Sequence, residues 1–231
     1  MGPKGSLPPY TLFRRSPRLN PVVDLPGNSE FLLNQTTCGL ITHCRYGHFD
    51  HLDRSGANFL SKKQVPVYCN STDQPFLKRR NIRTIPLMLN QKSDFLTGSI
   101  TPVAAKHGRG IVGTLMGPGA GYFINLPDEK TLYISGDTVM TKSVQKVLID
   151  LKPDIAILNA GTATLDLGSP ILMPISEQLN FIKSAPSKVI AVHLDAFNHC
   201  LTSRAMLKNA VSKSGLSEKV LIPEDGELIE I

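Results

Sequence analysis

Four apolar runs that read as β-strands each deliver a histidine or an aspartate just beyond their C-terminal end. The run at 39–42 leads into His43 and on to His48, Asp50 and His51. The run at 99–105 leads to His107, the run at 131–135 to Asp137, and the run at 188–192 to His193. Each residue taken alone has a plain reading. His107 is a polar strand end, His193 a satisfied core histidine, and Asp137 part of a Gly-Asp turn. Taken together they share one kind of place, where loops leave the carboxyl ends of strands and gather side chains into a site. That coincidence constrains fold and chemistry at once.

The surrounding pattern agrees. Residues 51–61 read as a short helix, 65–69 as a strand, and 71–80 as a helix capped by Ser71. Runs 121–125 and 131–135, separated by Leu-Pro-Asp-Glu-Lys, read as a hairpin. Thr141 caps a helix that places Val144, Val147 and Leu148 on one face. Buried strands at 154–159 and 188–193 then alternate with helices at 176–184 and, capped by Thr202, up to Ser214. Hairpins followed by βαβ units predict a layered α/β fold. Residues 1–35 hold Pro3, Pro8, Pro9, Pro17, Pro21, Pro26 and Gly27 and read as an extended N-terminal segment, with a single domain over 36–231.

Composition excludes several classes. With 231 residues, 41% of them hydrophobic, the chain can bury a sizeable core. No apolar run reaches the ~20 residues of a membrane helix, and the start lacks a secretory apolar stretch. Four scattered cysteines are too few for a disulfide framework, which predicts a reduced, cytoplasmic protein. Lys plus Arg exceed Asp plus Glu by 25 − 19 = 6. This mild excess favours an anionic small-molecule substrate and is weak support for nucleic acid.

His43, His48 and His51 fall within nine residues together with Asp50, following an apolar run. Imidazole and carboxylate gathered in one loop suit Zn²⁺ or a similar divalent ion. Thr42-His43 and His48-Phe49-Asp50-His51 match the two halves of a Thr-His-x-His-x-Asp-His signature. With Asp24, Gly117-Pro118, Asp137, the Asn159-Ala-Gly161 motif, His193 and the Asn198-His199-Cys200 motif, the chain resembles the metallo-β-lactamase-fold superfamily. Within it, the chain is similar to the small soluble hydrolases of the ascorbate-6-phosphate lactonase group.

The resemblance implies a four-layer αββα sandwich with two metal ions on one edge. The metals would be zinc, with manganese or iron as alternatives. It implies that His43, His48 and His107 hold one ion, that Asp50, His51 and His193 hold the other, and that Asp137 bridges them. It implies hydrolysis of a small ester, lactone or phosphoester by a metal-activated hydroxide, with Asp50 in the catalytic centre. His199 fits no ligand position and reads as a catalytic-site residue beside the ligands or against substrate, with a surface histidine as the alternative.

Two departures stand out. The family places one residue between its first two histidines, whereas four stand between His43 and His48. Either His43 ligates from a bulged loop or the first metal site is weakened; Cys44 is a substitute ligand or a buried bystander. The family also opens with a β-hairpin, and this chain is expected to lack it, leaving a sheet edge open to self-association. A metal-dependent nuclease and a non-catalytic binding protein of the same fold are the rival readings.

Overall fold

The computed structural model of the protein describes residues 19–45, 48, 51–165 and 168–231. A short helix, α1 (Ser29–Asn34), precedes three strands: β1 (Gly39–Ile41), β2 (Val67–Asn70) and β3 (Thr84–Leu87). These form an all-parallel sheet in the order β1-β2-β3. Parallel neighbours need crossover connections, and helices α2 (Arg54–Lys63) and α3 (Gln74–Lys78) supply them.

The second sheet has seven strands in sequence order: β4 (Ser93–Phe95), β5 (Gly98–Lys106), β6 (Pro118–Asn125), β7 (Leu132–Ile134), β8 (Ile155–Asn159), β9 (Lys188–Val192) and β10 (Val220–Leu221). Strands β4 to β7 pair antiparallel, and β7 to β10 pair parallel. Helix α4 (Gly110–Leu115) joins β5 to β6. The parallel half is crossed by α5 (Lys142–Lys146) with a π-helical turn at Val147–Leu151, then by α6 (Ile175–Ser184) and α7 (Arg204–Lys213).

Three apolar clusters define the layers. Leu52, Ala57 and Leu77 pack with Val67 and Cys69, placing α2 and α3 on the outer face of the small sheet. Tyr68 and Leu87 of the small sheet meet Phe95, Ile100, Tyr122 and Ile124 of the large one, which is the core between sheets. Tyr133, Leu158 and Val189 on the far face of the large sheet receive Val144, Phe181, Leu207 and Val211 from α5, α6 and α7. Apolar side chains thus leave water at each of three interfaces, the arrangement expected of helix, sheet, sheet, helix.

Most expected elements are present, with physical reasons for the shifts. The 71–80 helix begins only at Gln74. Asn70 turns the preceding residues, its side-chain oxygen accepting from Thr72 N and its carbonyl from Asp73 N, and Pro75 occupies the first helical turn. The cap of α7 is Ser203, whose hydroxyl accepts from Met206 N, because Thr202 instead hydrogen-bonds Thr162. Thr141 caps α5 as expected, accepting from Val144 N. Strand β3 escaped the sequence reading because it contains Pro86, which an edge strand tolerates. The extended reading of 1–35 does not hold at Ser29–Asn34, which are helical; residues 1–18 lie outside the described part. Among the described residues no helix is long and apolar enough to cross a membrane.

Candidate metal centre

Strand direction brings the site together. Strand β5 is antiparallel to β6, and β6 to β7, so β5 and β7 run the same way; β8 and β9 continue parallel to β7. The C-terminal ends of β5, β7, β8 and β9 therefore share one edge of the large sheet. His107, Asp137, Asn159 and His193 stand at or just past those ends. The end of β1 is tied to the same place. Ala120 N donates to Thr42 O at 3.0 Å, and the Tyr122 hydroxyl donates to Ile41 O at 2.6 Å. Gly136 lets the chain turn there. Its φ is +61°, and a Cβ would meet the Ala120 carbonyl oxygen at 2.8 Å.

One buried carboxylate oxygen is the hub. Asp137 Oδ2 lies 3.4 Å from His51 Nε2, 3.5 Å from His107 Nε2, 3.8 Å from His193 Nε2 and 3.9 Å from His43 Nε2. Potential ligand atoms of His43, His48, His51 and His107 all lie within 4.8 Å of one another. The four-residue spacing between His43 and His48 does not keep them apart, since their ring centroids are 4.4 Å distant. Cys44 is buried with Leu52, Val67 and Cys69 and is the bystander of the two readings.

The protein engages the other nitrogen of several rings. His107 Nδ1 contacts Ile171 O at 2.8 Å, His43 Nδ1 the Thr42 hydroxyl at 3.0 Å, and His193 Nδ1 the Cys200 sulfur at 3.5 Å. His48 is reversed. Its Nε2, not its Nδ1, meets a backbone carbonyl, Met116 O at 3.1 Å. Such partners fix tautomer and ring orientation. Asn159 does the same for the hub, donating Nδ2–H to Asp137 Oδ1 at 2.6 Å so that Oδ2 faces the imidazoles.

The donor set fits a divalent cation. His43 Nε2 is buried with no hydrogen-bond partner, an arrangement that is costly unless something electrophilic meets the lone pair. Burial, with His51 nearby, holds His43 well below its ordinary 6.5. Burial likewise lowers His107 to about 4, against the pull of Asp137. Burial would raise Asp137, but His193 and His51 outweigh it and keep the carboxyl ionised. Burial would also lower His193, but Asp137 and Cys200 raise it to about 9. Neutral His43 and His107 beside an ionised Asp137 are the ligand states that Zn²⁺, Mn²⁺ or Fe²⁺ require, and His193 gives up a proton when it ligates.

Of the residues expected from sequence, the structure brings together His43, His48, His51, His107, Asp137 and His193. Asp50 lies outside the described residues. His199 stands one ring away: its ring is 5.8 Å from that of Phe197, which itself stacks 5.8 Å from His193. Asn159 and Cys200 stand in sequence motifs that assign them no role. A polar residue closing the buried run 155–158 was the available signal for Asn159. The carbonyls of Met116 and Ile171 leave no mark in a sequence.

No family model matches the chain. The UPF0173 protein YddR of Bacillus subtilis is 33% identical over 227 residues, covering 97% of this chain and 87% of the relative. The chain belongs to the UPF0173 family. A UPF0173 metal-dependent hydrolase of Heliobacterium modesticaldum is 26% identical over 80% of the chain and 77% of its own length. Among solved structures, a possible metal-dependent hydrolase from Veillonella parvula is 27% identical with a TM-score of 0.85, covering 98% of this chain and 88% of that one. An isothiocyanate hydrolase from Delia radicum gut bacteria is 30% identical with a TM-score of 0.84, covering 99% and 88%. The metallo-β-lactamase-fold protein YhfI of Bacillus subtilis, 14% identical over 84% and 77% of the two chains, shares the fold at a TM-score of 0.62. This UPF0173 protein is a metal-dependent hydrolase of the metallo-β-lactamase fold.

Three results are expected at this centre. Asn159→Ala frees Asp137 Oδ1 and should weaken zinc binding ~10-fold or more, read by competition with a chromophoric chelator. His43→Ala and His48→Ala should weaken it by similar factors, each removing one ligand; silence at both would mean that they hold no ion. The metal-free chain should be most stable near pH 6.5. His43 and His107 have folded pKa values below 6.5, so their contributions are present above it and lost as pH falls, that of His107 through about 4. His193 has the opposite sign, its contribution being present below 6.5 and lost as pH rises through about 9. Melting temperatures from pH 4 to 9 would show a flat or monotonic profile if these groups did not titrate this way.

Proposed function

We propose that this UPF0173 hydrolase attacks an electrophilic carbon in a small molecule, with an ester or lactone carbonyl as the leading class. The observation that carries the reading is Asp137 Oδ2, a buried anionic oxygen ringed by four imidazoles. Zinc, about two ions per chain, is the proposed metal, with manganese or iron as alternatives. When bound, the metal supplies Lewis acidity and makes water nucleophilic near neutral pH.

The chain's own residues do the rest. Asn159 aims the Asp137 carboxylate, and Thr42, Met116 and Ile171 lock His43, His48 and His107, so ligand geometry needs no reorganisation during reaction. Asp50 is assigned beside His51 and His193 by the family signature, and His199 is assigned to substrate contact. Phosphoesters rank lower because nearby cations are engaged: Arg45 donates to Thr72 O, and Arg109 pairs with Glu177. An apolar cluster adjoins the centre through Met116 O and Ile171 O, which meet His48 and His107. Val112, Met116 and Leu165 pack on Ala163, Ile171 and Leu172, and Phe197 covers one face of His193. The small number and scatter of the four cysteines in the sequence are the basis for reading a reducing, cytoplasmic setting.

An isothiocyanate is the second reading, favoured by the likeness to the isothiocyanate hydrolase over 99% of this chain. Water would add across the C=N bond to give a thiocarbamic acid, which breaks down to an amine and carbonyl sulfide. The test is a panel of para-nitrophenyl acetate, a γ-lactone, benzyl isothiocyanate and para-nitrophenyl phosphate against zinc-, manganese- and iron-loaded protein. Turnover of a carbon electrophile, lost in Asp137→Ala, is expected. Turnover of the phosphate ester alone would overturn the reading.

A further inference from the structure

One edge nitrogen of the His193 ring is turned to Asp137, and the other meets a sulfur atom. Cys200 Sγ is 3.5 Å from Nδ1, whereas it is Nε2 that faces Asp137 at 3.8 Å. The two ring nitrogens point away from each other, so this sulfur cannot share a cation with Nε2. It is placed to act on the ligand instead.

The backbone holds the sulfur there. Residues 161–164 and 199–202 run side by side, with Thr164 N donating to His199 O at 3.2 Å, Thr202 N donating to Gly161 O at 3.1 Å, and an antiparallel bridge between Ala163 and Cys200. Gly161 leaves the notch that the contact needs. A Cβ at that position would lie 2.8 Å from Cys200 Sγ, 3.0 Å from His193 Nδ1 and 2.5 Å from the His193 carbonyl oxygen. The strip is clamped from below by buried Gln178, whose Nε2–H groups reach Ala160 O, the Thr162 hydroxyl and Met173 O at 2.7–2.8 Å. Thr162 in turn bonds the Thr202 hydroxyl at 2.6 Å. His193 has a left-handed backbone, with φ of +62°, so its own chain direction does not set the ring by a standard strand geometry. Something outside the strand must orient it.

We propose that Cys200 is the positioning residue of His193: its sulfur accepts the Nδ1–H, fixing the tautomer that presents the Nε2 lone pair to the metal. Carboxylates and backbone carbonyls commonly fill this role for metal-bound histidines. Here a buried thiol does, in a notch that only glycine leaves open. The proposal rests on the reading of His193 as a metal ligand.

The experiment is zinc titration of the full chain against a chromophoric chelator, for the parent, His193→Ala, Cys200→Val and Cys200→Ser, with melting temperatures of the zinc-free proteins as the folding control. His193→Ala should lose the tightest-bound zinc that depends on it. Cys200→Val, of similar bulk but with no acceptor, should weaken zinc ~10-fold or more. Cys200→Ser, which keeps an acceptor on a shorter reach, should recover part of that loss. Zinc affinity unchanged in His193→Ala overturns the ligand assignment, and this proposal with it. Affinity lowered in His193→Ala but unchanged in Cys200→Val overturns the role of Cys200 alone. Equal losses in the Val and Ser variants also overturn it, because packing and not the acceptor would then be the cause.

Discussion

Asp137→Ala should abolish tight metal binding and lower hydrolysis by at least ~10³-fold, a loss of about 4 kcal/mol of transition-state stabilisation. Four imidazole nitrogens lie within 3.9 Å of Asp137 Oδ2. Removing the carboxylate takes away the anionic oxygen that four imidazoles share and leaves His193 without its counter-charge. The second consequence can be read without metal. His193 is raised to about 9 against the pull of burial, by Asp137 and Cys200. In the metal-free Asp137→Ala chain its titration, followed by NMR of the ring protons, should move down from about 9. Asp137→Asn keeps the shape and loses the charge, and it should resemble Asp137→Ala in both measurements if charge is what matters.

Phe181→Ala should cost about 3–5 kcal/mol of folding stability. Its side chain is fully buried between α6 and the large sheet, with its ring stacked 6.3 Å from Tyr133 and contacts to the cluster that includes Leu158, Val189 and Leu207. The cavity cannot close easily, because sheet strands and the helix are held by their own backbone bonds. The loss is a large share of a typical ~5–15 kcal/mol margin. Phe31→Ala offers the contrast. That ring is 64% exposed on α1, and its removal should change stability by no more than ~0.5 kcal/mol. Urea denaturation of both variants, at fixed zinc concentration, checks the pair.

How far the sequence could be read depended on whether the cause was local. Strands such as β8 and β9 were legible because a buried parallel strand is a continuous apolar run, and the layered α/β class followed from their alternation with helices. The metal-site side chains were legible for the same reason, since strand ends can be located from the runs before them. Residues whose role depends on a distant neighbour were not. Asn159 matters because β8 lies beside β7, which brings its amide to Asp137, and nothing local announces that pairing. Cys200 matters because Gly161 leaves room for its sulfur beside His193. Thr202 was read as a helix cap by its residue type, but the hydroxyl of Thr162, forty residues earlier, claims it. Pro86 hid β3 because a proline rules out a central strand, and only the sheet order shows that this strand is an edge.

The spacing of His43 and His48 shows the same limit from the other side. Sequence reasoning treated the four intervening residues as a threat to the first metal site. The structure places the rings 4.4 Å apart all the same, with His43 held by Thr42 and His48 by the Met116 carbonyl. Ring placement is set by these two anchors, one on the end of β1 and one just after α4, and not by the length of chain between the histidines.

We propose that one cluster, centred on Asp137, holds the catalytic metal of this UPF0173 hydrolase. The most direct test is the zinc content of the parent chain and of Asp137→Ala after loading and gel filtration, measured by mass spectrometry of the elements. About two zinc ions per parent chain are expected, falling below about half an ion in the variant. Equal metal content in the two proteins, or less than about half an ion in the parent, would contradict it.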